Sequence, residues 1–293
     1  MHIRQRSLFR FPAFLLCFLF ILPIRAAAAG SDLIGGENSG LINVLLIGQD
    51  LQAETSARSD SIILCSFRPD EKKIIVTSFL RDLYVEIPGH QSNRLNAAYA
   101  FGGMELLMQT MTHNFGLHID GCIEADFTHF PQIIDTLGGV TLALRQDEAE
   151  AINHRVPGAL TEGDCLLNGE QALAYSRIRN LDSDGDLSRS QRQRKLIFSL
   201  LNSYRTADLL TILSAVVDTL PMVTTTFSNR QILRLASQLF PLLDAPDVTS
   251  QRIPADGHFD YTTIRKMEVL TADMEQIRQQ LQDSLVFING NVS

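Results

Sequence analysis

The sequence predicts an α/β or α+β sandwich in which helices cover a central sheet. Branched apolar runs typical of buried strands come first, and segments with helical periodicity alternate with further strand patterns through the middle. Beyond residue 203 the patterns are helical. After an N-terminal targeting segment, the remaining length suits a single domain of about 260 residues.

Residues 1–30 have the features of a targeting segment, with arginines near the start and no acidic residue. Residues 11–24 are an apolar run, and the small residues at 26–30 suit a signal-peptidase cut. A membrane-spanning helix needs about 20 residues, which favours a signal peptide over an N-terminal membrane anchor and leaves both open. Either way, the rest of the chain is exported. Residues 31–40, rich in Gly and Ser, are predicted to be a linker to a domain at 41–293.

The charge balance argues against a nucleic-acid partner. The chain has 25 Lys and Arg against 33 Asp and Glu, and without the four arginines of the targeting segment the balance is 21 against 33, or −12. Nucleic-acid binding needs a basic surface, so clustered arginines in this chain indicate a local anion site. Cys65, Cys122 and Cys165 show no metal-ligand spacing, and a Cys122–Cys165 disulfide is the alternative to free thiols in an exported protein.

Three strands are predicted at the start of the domain. Residues 41–48, 61–67 and 73–79 are apolar and rich in branched side chains. The link at 68–72 has turn chemistry, so the second and third strands should form an antiparallel hairpin.

Charged residues gather where these strands begin or end. Asp50 follows the first strand and Asp60 precedes the second. Arg81 and Asp82 follow the third, and Arg58 lies in the first loop. If the first two strands are also antiparallel, all five residues lie at one edge of the sheet. Solvated loop residues are the plain alternative, and a second charged cluster downstream favours a site.

Strand and helix patterns alternate over the next sixty residues. A helix near 104–114 has an apolar face, and a helix at 130–137 stops at two glycines, as a helix C-terminus should. Further strands are predicted at 84–89, 122–127 and 140–144.

The second cluster begins at a predicted helix start. Asn168 is a good N-cap, and Gln171 stands three residues on, as in a capping box. The helix at 171–175 then leads to Arg177 and Arg179. We expect these two arginines to follow directly on a short, well-capped helix.

Three aspartates follow. Asp182, Asp184 and Asp186 resemble a calcium loop but lack the glutamate that closes an EF-hand, so this interpretation is set aside. Ser188 can cap the next helix, roughly 189–203.

The helix predicted at 189–203 carries positive charge in its first turn, where the helix dipole does not favour it. Arg189 and Gln193 share one face, with Arg192 beside them. Arginine in the first turn opposes the helix dipole, so its presence indicates an anion that the backbone N–H groups also bind. A solvated arginine face is the alternative.

The C-terminal part, about 204–293, is predicted to be helical and structural. The seven histidines of the whole chain lack zinc spacing, and the chain has no Gly-x-Ser-x-Gly elbow or Walker loop. These absences argue against a serine hydrolase or an NTPase. The predicted helices are at 209–217, 231–243 and 272–285.

The two clusters together suit a diphosphate. Two aspartates on one sheet edge can hold Mg²⁺, or Mn²⁺ in its place, which takes one or two carboxylates plus phosphate oxygens. Several arginines can neutralise phosphate charge in a planar, bidentate way. Positioning and charge stabilisation dominate phosphoryl transfer, so the chemistry indicated is phosphoryl transfer.

The chain resembles the LytR–CpsA–Psr (LCP) family of bacterial envelope phosphotransferases. The likeness runs over about residues 41–203 and is carried by ordered motifs. They are Leu45-Leu46-Ile47-Gly48-Gln49-Asp50, Arg58-Ser59-Asp60-Ser61, Ser78-Phe79-Leu80-Arg81-Asp82, Asn93-Arg94-Leu95-Asn96-Ala97-Ala98-Tyr99, Asp135-Thr136-Leu137-Gly138-Gly139-Val140, Leu167-Asn168-Gly169-Glu170-Gln171-Ala172-Leu173-Ala174-Tyr175-Ser176-Arg177-Ile178-Arg179, and Asp184-Gly185-Asp186 with Arg189 and Gln193.

The resemblance implies a mixed, largely antiparallel sheet covered by helices on both faces, with a hydrophobic groove for a polyprenyl chain. It implies Mg²⁺ at Asp50 and Asp60, catalytic roles for Asp60 and Arg81, and a proton acceptor in Asp184 or Asp186. The pyrophosphate contacts implied are Arg58, Arg81, Arg94, Arg177, Arg179, Arg189 and Gln193.

The resemblance also implies the reaction. A glycopolymer on undecaprenyl diphosphate is moved, as its phosphate, to a cell-wall acceptor such as a peptidoglycan sugar hydroxyl. The site of action is the outer face of the bacterial cytoplasmic membrane or the cell wall, with the membrane surface as a partner. A polyprenyl-diphosphate hydrolase and a non-catalytic lipid-diphosphate binder of the envelope are the alternatives. Leu83 and Leu187-Ser188 depart from the family pattern, which puts the fit of the acceptor in doubt.

Overall fold

The computed structural model describes residues 34–36, 39–49, 59–182, 185–244 and 246–285, without the side chains of Asp60 and Asp186. The predicted targeting segment therefore lies outside the described residues, and so do Asp50, Arg58 and Asp184. Among the described residues, no helix combines the length and the apolar character needed to cross a membrane.

The described chain contains twelve strands and eight α-helices. The strands are β1 (Ile42–Gln49), β2 (Ser59–Arg68), β3 (Lys73–Phe79), β4 (Tyr84–Val85), β5 (Asn93–Arg94), β6 (Gly121–Asp126), β7 (Val140–Leu144), β8 (Gly163–Leu167), β9 (Thr224–Thr225), β10 (Asp247–Ile253), β11 (Asp260–Ile264) and β12 (Met267–Thr271). The helices are α1 (Leu95–Phe115), α2 (Phe130–Thr136), α3 (Gln146–Arg155), α4 (Gly169–Ser176), α5 (Asp186–Ser203), α6 (Leu209–Thr219), α7 (Asn229–Leu239) and α8 (Met274–Leu285).

A six-stranded mixed sheet organises these elements, in the order β10-β3-β2-β1-β6-β9. The pairs β1–β2, β2–β3 and β6–β9 are antiparallel, whereas β1–β6 and β10–β3 are parallel. The predicted hairpin is confirmed, and so is the condition that β1 runs antiparallel to β2. The remaining strands form three two-stranded sheets, β4–β5, β7–β8 and β11–β12.

Register places five strand ends at one edge of this sheet. Gln49, the last residue of β1, pairs with Ser59, the first residue of β2, and lies opposite Asp126 at the end of β6. Phe79, at the end of β3, pairs with Ile62 near the start of β2 and with Ile253 at the end of β10. We call this side of the sheet the arginine edge, because Arg81 follows Phe79 there.

Helices cover the sheet on both faces. Helices α1 and α8 pack on one face around side chains such as Leu45, Leu64 and Met111. On the other face, Ile197 of α5 and Leu242 pack against Ile63, Cys65, Ile74 and Val76. A separate core joins α2, α3 and α4 to the β7–β8 hairpin.

Two parts of the fold differ from the sequence prediction. Helix α1 is divided by a kink at Gly102 and Gly103, whose backbone angles are not helical; Gly103 has φ +64°. The part after the kink begins at the predicted residue 104, whereas the part before it, from Leu95, was not predicted. The expectation of a helical C-terminal part is wrong for residues 247–271, which form β10, β11 and β12. β10 and β11 are rich in polar residues and β12 has only five residues, so none of them shows the apolar run that marked β1–β3.

Residue 34 also differs from a simple linker. Its N–H donates to the carbonyl of Gly116 over 2.7 Å, and its carbonyl accepts from His118 over 3.0 Å. Ile34 therefore lies against the domain core, within the segment predicted at 31–40.

Candidate active site

The residues after β3 form an ion-paired cluster at the arginine edge. Asp82 lies between two guanidinium groups, with its Oδ2 3.4 Å from Nε of Arg81 and its Oδ1 3.3 Å from Nη1 of Arg94. The backbone there is held by the start of α1, since the N–H of Asn96 donates to the carbonyl of Arg81 over 3.1 Å. One carboxylate thus holds two arginines side by side, and these three side chains together carry one positive charge.

The predicted contact between the two clusters is present at Gln193. The hydroxyl of Ser61, near the start of β2, donates to the side-chain carbonyl of Gln193 over 2.9 Å. These residues are 132 positions apart in the chain. Helix α5 therefore meets the sheet at the arginine edge.

Arg177 reaches the same edge. Its guanidinium carbon lies 4.6 Å from the ring centroid of Phe127, a cation–π contact. Phe127 follows β6, and its N–H donates to the carbonyl of Gln49 over 3.1 Å. A Cβ on Gly48 would lie 3.7 Å from the Phe127 ring, so the ring lies against the end of β1 and the guanidinium on top of it.

The arginines of α5 are buried. Arg189 is 6% exposed, which rules out the solvated arginine face. The N-cap of α5 is Gly185 and the helix starts at Asp186, so the prediction of Ser188 as the cap is wrong. Ser188 lies instead within the first turn and is buried. Burying arginine in a turn that already carries a positive dipole is unfavourable unless an anion is near.

Some buried polar atoms of the edge have no hydrogen-bond partner among the described residues. They include Nε of Arg94 and the hydroxyls of Ser59 and Ser78. Buried polar groups are normally paired, so these atoms suit a polar ligand. Leu83, where the family pattern has Thr or Ser, is fully buried and pairs with Leu270, so this departure affects the core and not the charged edge.

The structure does not describe every predicted site residue. Arg81, Arg94, Arg177 and Gln193 have described contacts at or beside the edge, while Arg179 lies two residues after Arg177. Asp50, Arg58 and Asp184 lie outside the described residues. Asp60 is placed in β2 and Asp186 at the start of α5 by their backbones only. Within the described part of the chain, no group of three or more His, Cys, Asp or Glu residues could hold a metal ion.

Sequence reasoning assigned no role to two contributors, Phe127 and Tyr99. The guanidinium of Arg177 lies on the ring of Phe127, but an aromatic residue after a strand gives no distinctive signal in the sequence. Tyr99 lies on α1, and its hydroxyl is 2.7 Å from Glu124 and 3.2 Å from the amide oxygen of Gln49. Burial raises the pKa of Tyr99, with a further contribution from Glu124, so the phenol stays protonated and fixes the end of β1.

The cysteines take no part in this edge. Cys65, Cys122 and Cys165 are free thiols, so the Cys122–Cys165 disulfide is not formed. Burial raises the pKa of both Cys65 and Cys122 to about 12, which keeps them as unreactive thiols at neutral pH.

An apolar cavity of about 320 Å³ lies on the α5 face of the sheet. Its walls come from β2, β3, β6 and β9, from α2, α5, α6 and α7, and from the turns after α6 and α7. The lining includes Phe67, Ile74, Leu201, Ile212, Ile232 and Leu235. Helix α5 connects this cavity to the arginine edge: twelve residues separate Arg189 from Leu201, or about 18 Å at the helical rise of 1.5 Å per residue.

Solved structures share this architecture. The structure titled "TagT bound to LIIa-WTA" matches with a TM-score of 0.70 and 27% identity, covering 88% of this chain and 96% of that one. A structure of YwtF (TagT) with bound octaprenyl pyrophosphate lipid matches with a TM-score of 0.65 and 25% identity over the same shares.

Curated relatives match as well. The polyisoprenyl-teichoic acid–peptidoglycan teichoic acid transferase TagU of Oceanobacillus iheyensis is 36% identical over 187 residues, which are 61% of this chain and 56% of TagU. The match to TagU thus spans about half the length of that relative. The LytR_cpsA_psr family model matches residues 25–283. Both clusters of the arginine edge fall inside that match, and the chain therefore belongs to the LytR–CpsA–Psr family.

Proposed function

We propose that this protein transfers a phosphate-linked glycopolymer from a polyprenyl (undecaprenyl) diphosphate to a cell-wall acceptor such as a peptidoglycan sugar hydroxyl. The supporting observation is the meeting of the two clusters: Gln193 contacts Ser61, and Arg177 lies on Phe127 at the end of β1. Guanidinium groups from distant parts of the chain thereby reach one edge, as a diphosphate requires. The relatives named as transferases and the one solved with a prenyl pyrophosphate support the same assignment.

In the proposed reaction, the acceptor hydroxyl oxygen attacks the phosphorus that carries the polymer. The bond from that phosphorus to the bridging oxygen breaks, and prenyl monophosphate leaves. Arg81 and Arg94, held together by Asp82, would bind the diphosphate and stabilise charge as it moves to the leaving phosphate. Arg58, Arg177, Arg179, Arg189 and Gln193 would complete this cradle. Asp184 or Asp186 would accept the hydroxyl proton.

A divalent cation at this edge is part of the proposal. β1 ends one residue before Asp50, and β2 contains Asp60 next to Ser59, which pairs with Gln49. Two carboxylates, one directly after β1 in the sequence and one in β2, are ligands that Mg²⁺ or Mn²⁺ accepts, leaving positions for phosphate oxygens. Asp50 and Asp60 would hold the ion, and the bound ion would neutralise charge on the diphosphate.

The apolar cavity would hold the prenyl chain. It lies on the sheet face covered by α5, the helix that carries Arg189 and Gln193 at its other end. Apolar chains bind in such cavities because binding removes their apolar surface from water. A lipid substrate and a peptidoglycan acceptor place the protein at the outer face of the cytoplasmic membrane or in the cell wall, with the membrane surface as its partner.

The direct test is an acceptor-dependent assay with a prenyl-diphosphate-linked saccharide and peptidoglycan fragments. Transfer predicts that prenyl monophosphate appears together with phosphate-linked saccharide on the acceptor. Release of saccharide phosphate without acceptor would indicate a hydrolase, and tight binding without turnover a lipid-diphosphate binder. Either result would overturn the transferase assignment.

Filling the cavity should weaken binding of long prenyl chains selectively. Ala236 lines the cavity on α7, and Ala236→Trp would place an indole where the chain is proposed to lie. We expect the Kd of a forty-carbon prenyl diphosphate to rise at least about tenfold, since burial of each CH₂ contributes about 0.8 kcal/mol. The Kd of a ten-carbon diphosphate should change little. Calorimetric titration of both ligands measures this.

Leu210→Trp is the matched control, because Leu210 is 78% exposed on α6 and does not line the cavity. The wild-type chain has no tryptophan, so each variant also carries a single fluorescent reporter. Equal weakening of the short and long ligands by Ala236→Trp would place the chain elsewhere.

A further inference from the structure

We propose that Arg192 is a positioning residue, whose buried guanidinium holds the segment carrying Arg177 and Arg179 against the arginine edge. Arg192 is 3% exposed. Its Nε donates to Oε1 of Glu148 over 2.9 Å, its Nη1 donates to the carbonyl of Ile178 over 3.3 Å, and its Nη2 donates to Oδ2 of Asp182. The importance of that segment rests on the proposed function, whereas the contacts do not.

The segment at 177–182 needs contacts from another element to fix its backbone. Helix α4 ends at Ser176, and residues 177–182 after it are neither helix nor strand. Ile178 lies between the two predicted phosphate ligands, and Asp182 lies two residues before Asp184. Arg192 therefore holds this segment at two points, one in its backbone and one in a side chain. Fixing an irregular backbone in advance reduces the entropy lost when a ligand binds.

Glu148, on α3, sets the orientation of the Arg192 guanidinium. It is 1% exposed, and both of its oxygens are used, because Oε2 accepts the backbone N–H of Arg145 over 3.2 Å. A buried carboxylate is stable only with such partners. Glu148 therefore fixes Arg192 in one orientation and turns its remaining donors towards Ile178 and Asp182.

A second arginine, Arg145, also binds Asp182. Nη1 of Arg145 donates to Oδ1 of Asp182 over 3.2 Å, while its Nε and Nη2 donate to Asp147 over 2.9 Å each. Asp182 thus accepts from Arg192 on one oxygen and from Arg145 on the other. The hydrogen bond from Arg192, with help from Arg145, lowers the pKa of Asp182, so its carboxylate stays ionised at neutral pH. We call Arg192, Glu148, Asp182 and Arg145 the loop clamp.

These contacts give Arg192 a role different from that of Arg189 on the same helix. Arg189 lies three residues earlier and is proposed to bind phosphate. The donors of Arg192 are instead directed at Glu148, Ile178 and Asp182, inside the protein. The charge of Arg192 is thus matched by carboxylates of the chain itself, and its effect on the substrate passes through the segment at 177–182.

Hydrogen exchange and ligand binding together test this role in the full chain. In Arg192→Lys the charge remains, but an ammonium group cannot reproduce the planar set of three contacts. We expect amides at 177–182 to exchange at least about tenfold faster, as loss of charge-assisted hydrogen bonds implies. The Kd of prenyl diphosphate should rise by about the same factor. Asp182→Asn, at a partly exposed position, should do the same more weakly, and it keeps the test available if Arg192→Lys folds poorly.

Arg68→Lys is the matched control. Arg68 is also largely buried, and its guanidinium donates to the carbonyl of Leu285 and to Glu71, away from the clamp. Arg68→Lys should lower the Tm without changing amide exchange at 177–182 or the Kd of prenyl diphosphate.

The results separate the role of the clamp from the proposed function. Faster exchange together with weaker binding supports the positioning role, even if no transfer activity is found with wild-type protein. Weaker binding with unchanged exchange would make Arg192 a direct ligand and overturn the proposal. A change in Tm alone, equal to that of Arg68→Lys, would reduce Arg192 to an ordinary stabilising residue and overturn it as well.

Discussion

Alanine in place of Arg81 is expected to abolish transfer while leaving the fold intact. Arg81 stands at the end of β3, beside Asp82 and Arg94, where the diphosphate is proposed to bind. Each charge-assisted hydrogen bond contributes about 1.5–3 kcal/mol, and bonds that strengthen as charge develops act on kcat. Loss of two such bonds corresponds to a fall of about 10² to 10⁴-fold in kcat/KM. Asp60→Ala should have a comparable effect by removing a proposed metal ligand.

The measurement is the acceptor-dependent assay, with Tm recorded for each variant. Arg230→Ala, which removes an exposed arginine of α7, is the control for loss of one positive charge. It should retain wild-type turnover. Turnover close to wild type in Arg81→Ala or Asp60→Ala, with each variant folded, would remove the catalytic assignment.

The arginine edge was predictable because strand patterns determine more than secondary structure. Three apolar runs joined by a short turn leave few ways to pair, and antiparallel pairing places the residues after the first and third strands beside the start of the second. The register of Gln49 with Ser59 and of Ile62 with Phe79 agrees with that expectation. The local capping box is also confirmed, since Asn168 Oδ1 accepts the N–H of Gln171 and Gln171 Oε1 accepts the N–H of Asn168.

Other parts were beyond sequence reasoning for a physical reason. Glu148 is an ordinary acidic residue in the first turn of α3, and only the folded chain places it 2.9 Å from an arginine 44 positions later. The strands β10 to β12 depend on partners, because β10 is added in parallel to β3 through pairs such as Gln251 with Thr77. A polar strand of this kind gains its stability from a neighbour and shows little pattern of its own.

Two motifs of the family resemblance have a structural explanation in this chain. The N–H of Gly169 donates to Oδ1 of Asp135 over 2.7 Å, joining the start of α4 to α2. Gly169 lies so close to α2 that an added Cβ would be 2.0 Å from the carbonyl oxygen of Pro131 and 2.5 Å from its carbonyl carbon. Backbone atoms cannot turn aside as a flexible side chain can. Asp135 and Gly169 therefore act by bringing two helices together and not by binding ligand.

Gly169→Ala is accordingly expected to destabilise the fold by about 1–3 kcal/mol or more, the range for forced overpacking. In a domain of this size each kcal/mol lowers the Tm by about 2–4 °C. The clash would push α4 away from α2 and move Arg177 and Arg179, which follow α4 directly, so transfer should fall as well. Thermal unfolding followed by circular dichroism measures the first effect.

Glu170→Ala is the control, because Glu170 is the next residue of the same turn and is exposed. Its effect on the free energy of unfolding should stay within about 0.5 kcal/mol, as for most surface substitutions. A wild-type Tm in Gly169→Ala would mean that α2 and α4 can separate without loss, and the motif would then need another explanation. A lowered Tm together with wild-type transfer would show that the position of α4 does not determine the position of the arginines, which would leave the loop clamp as the device that holds them.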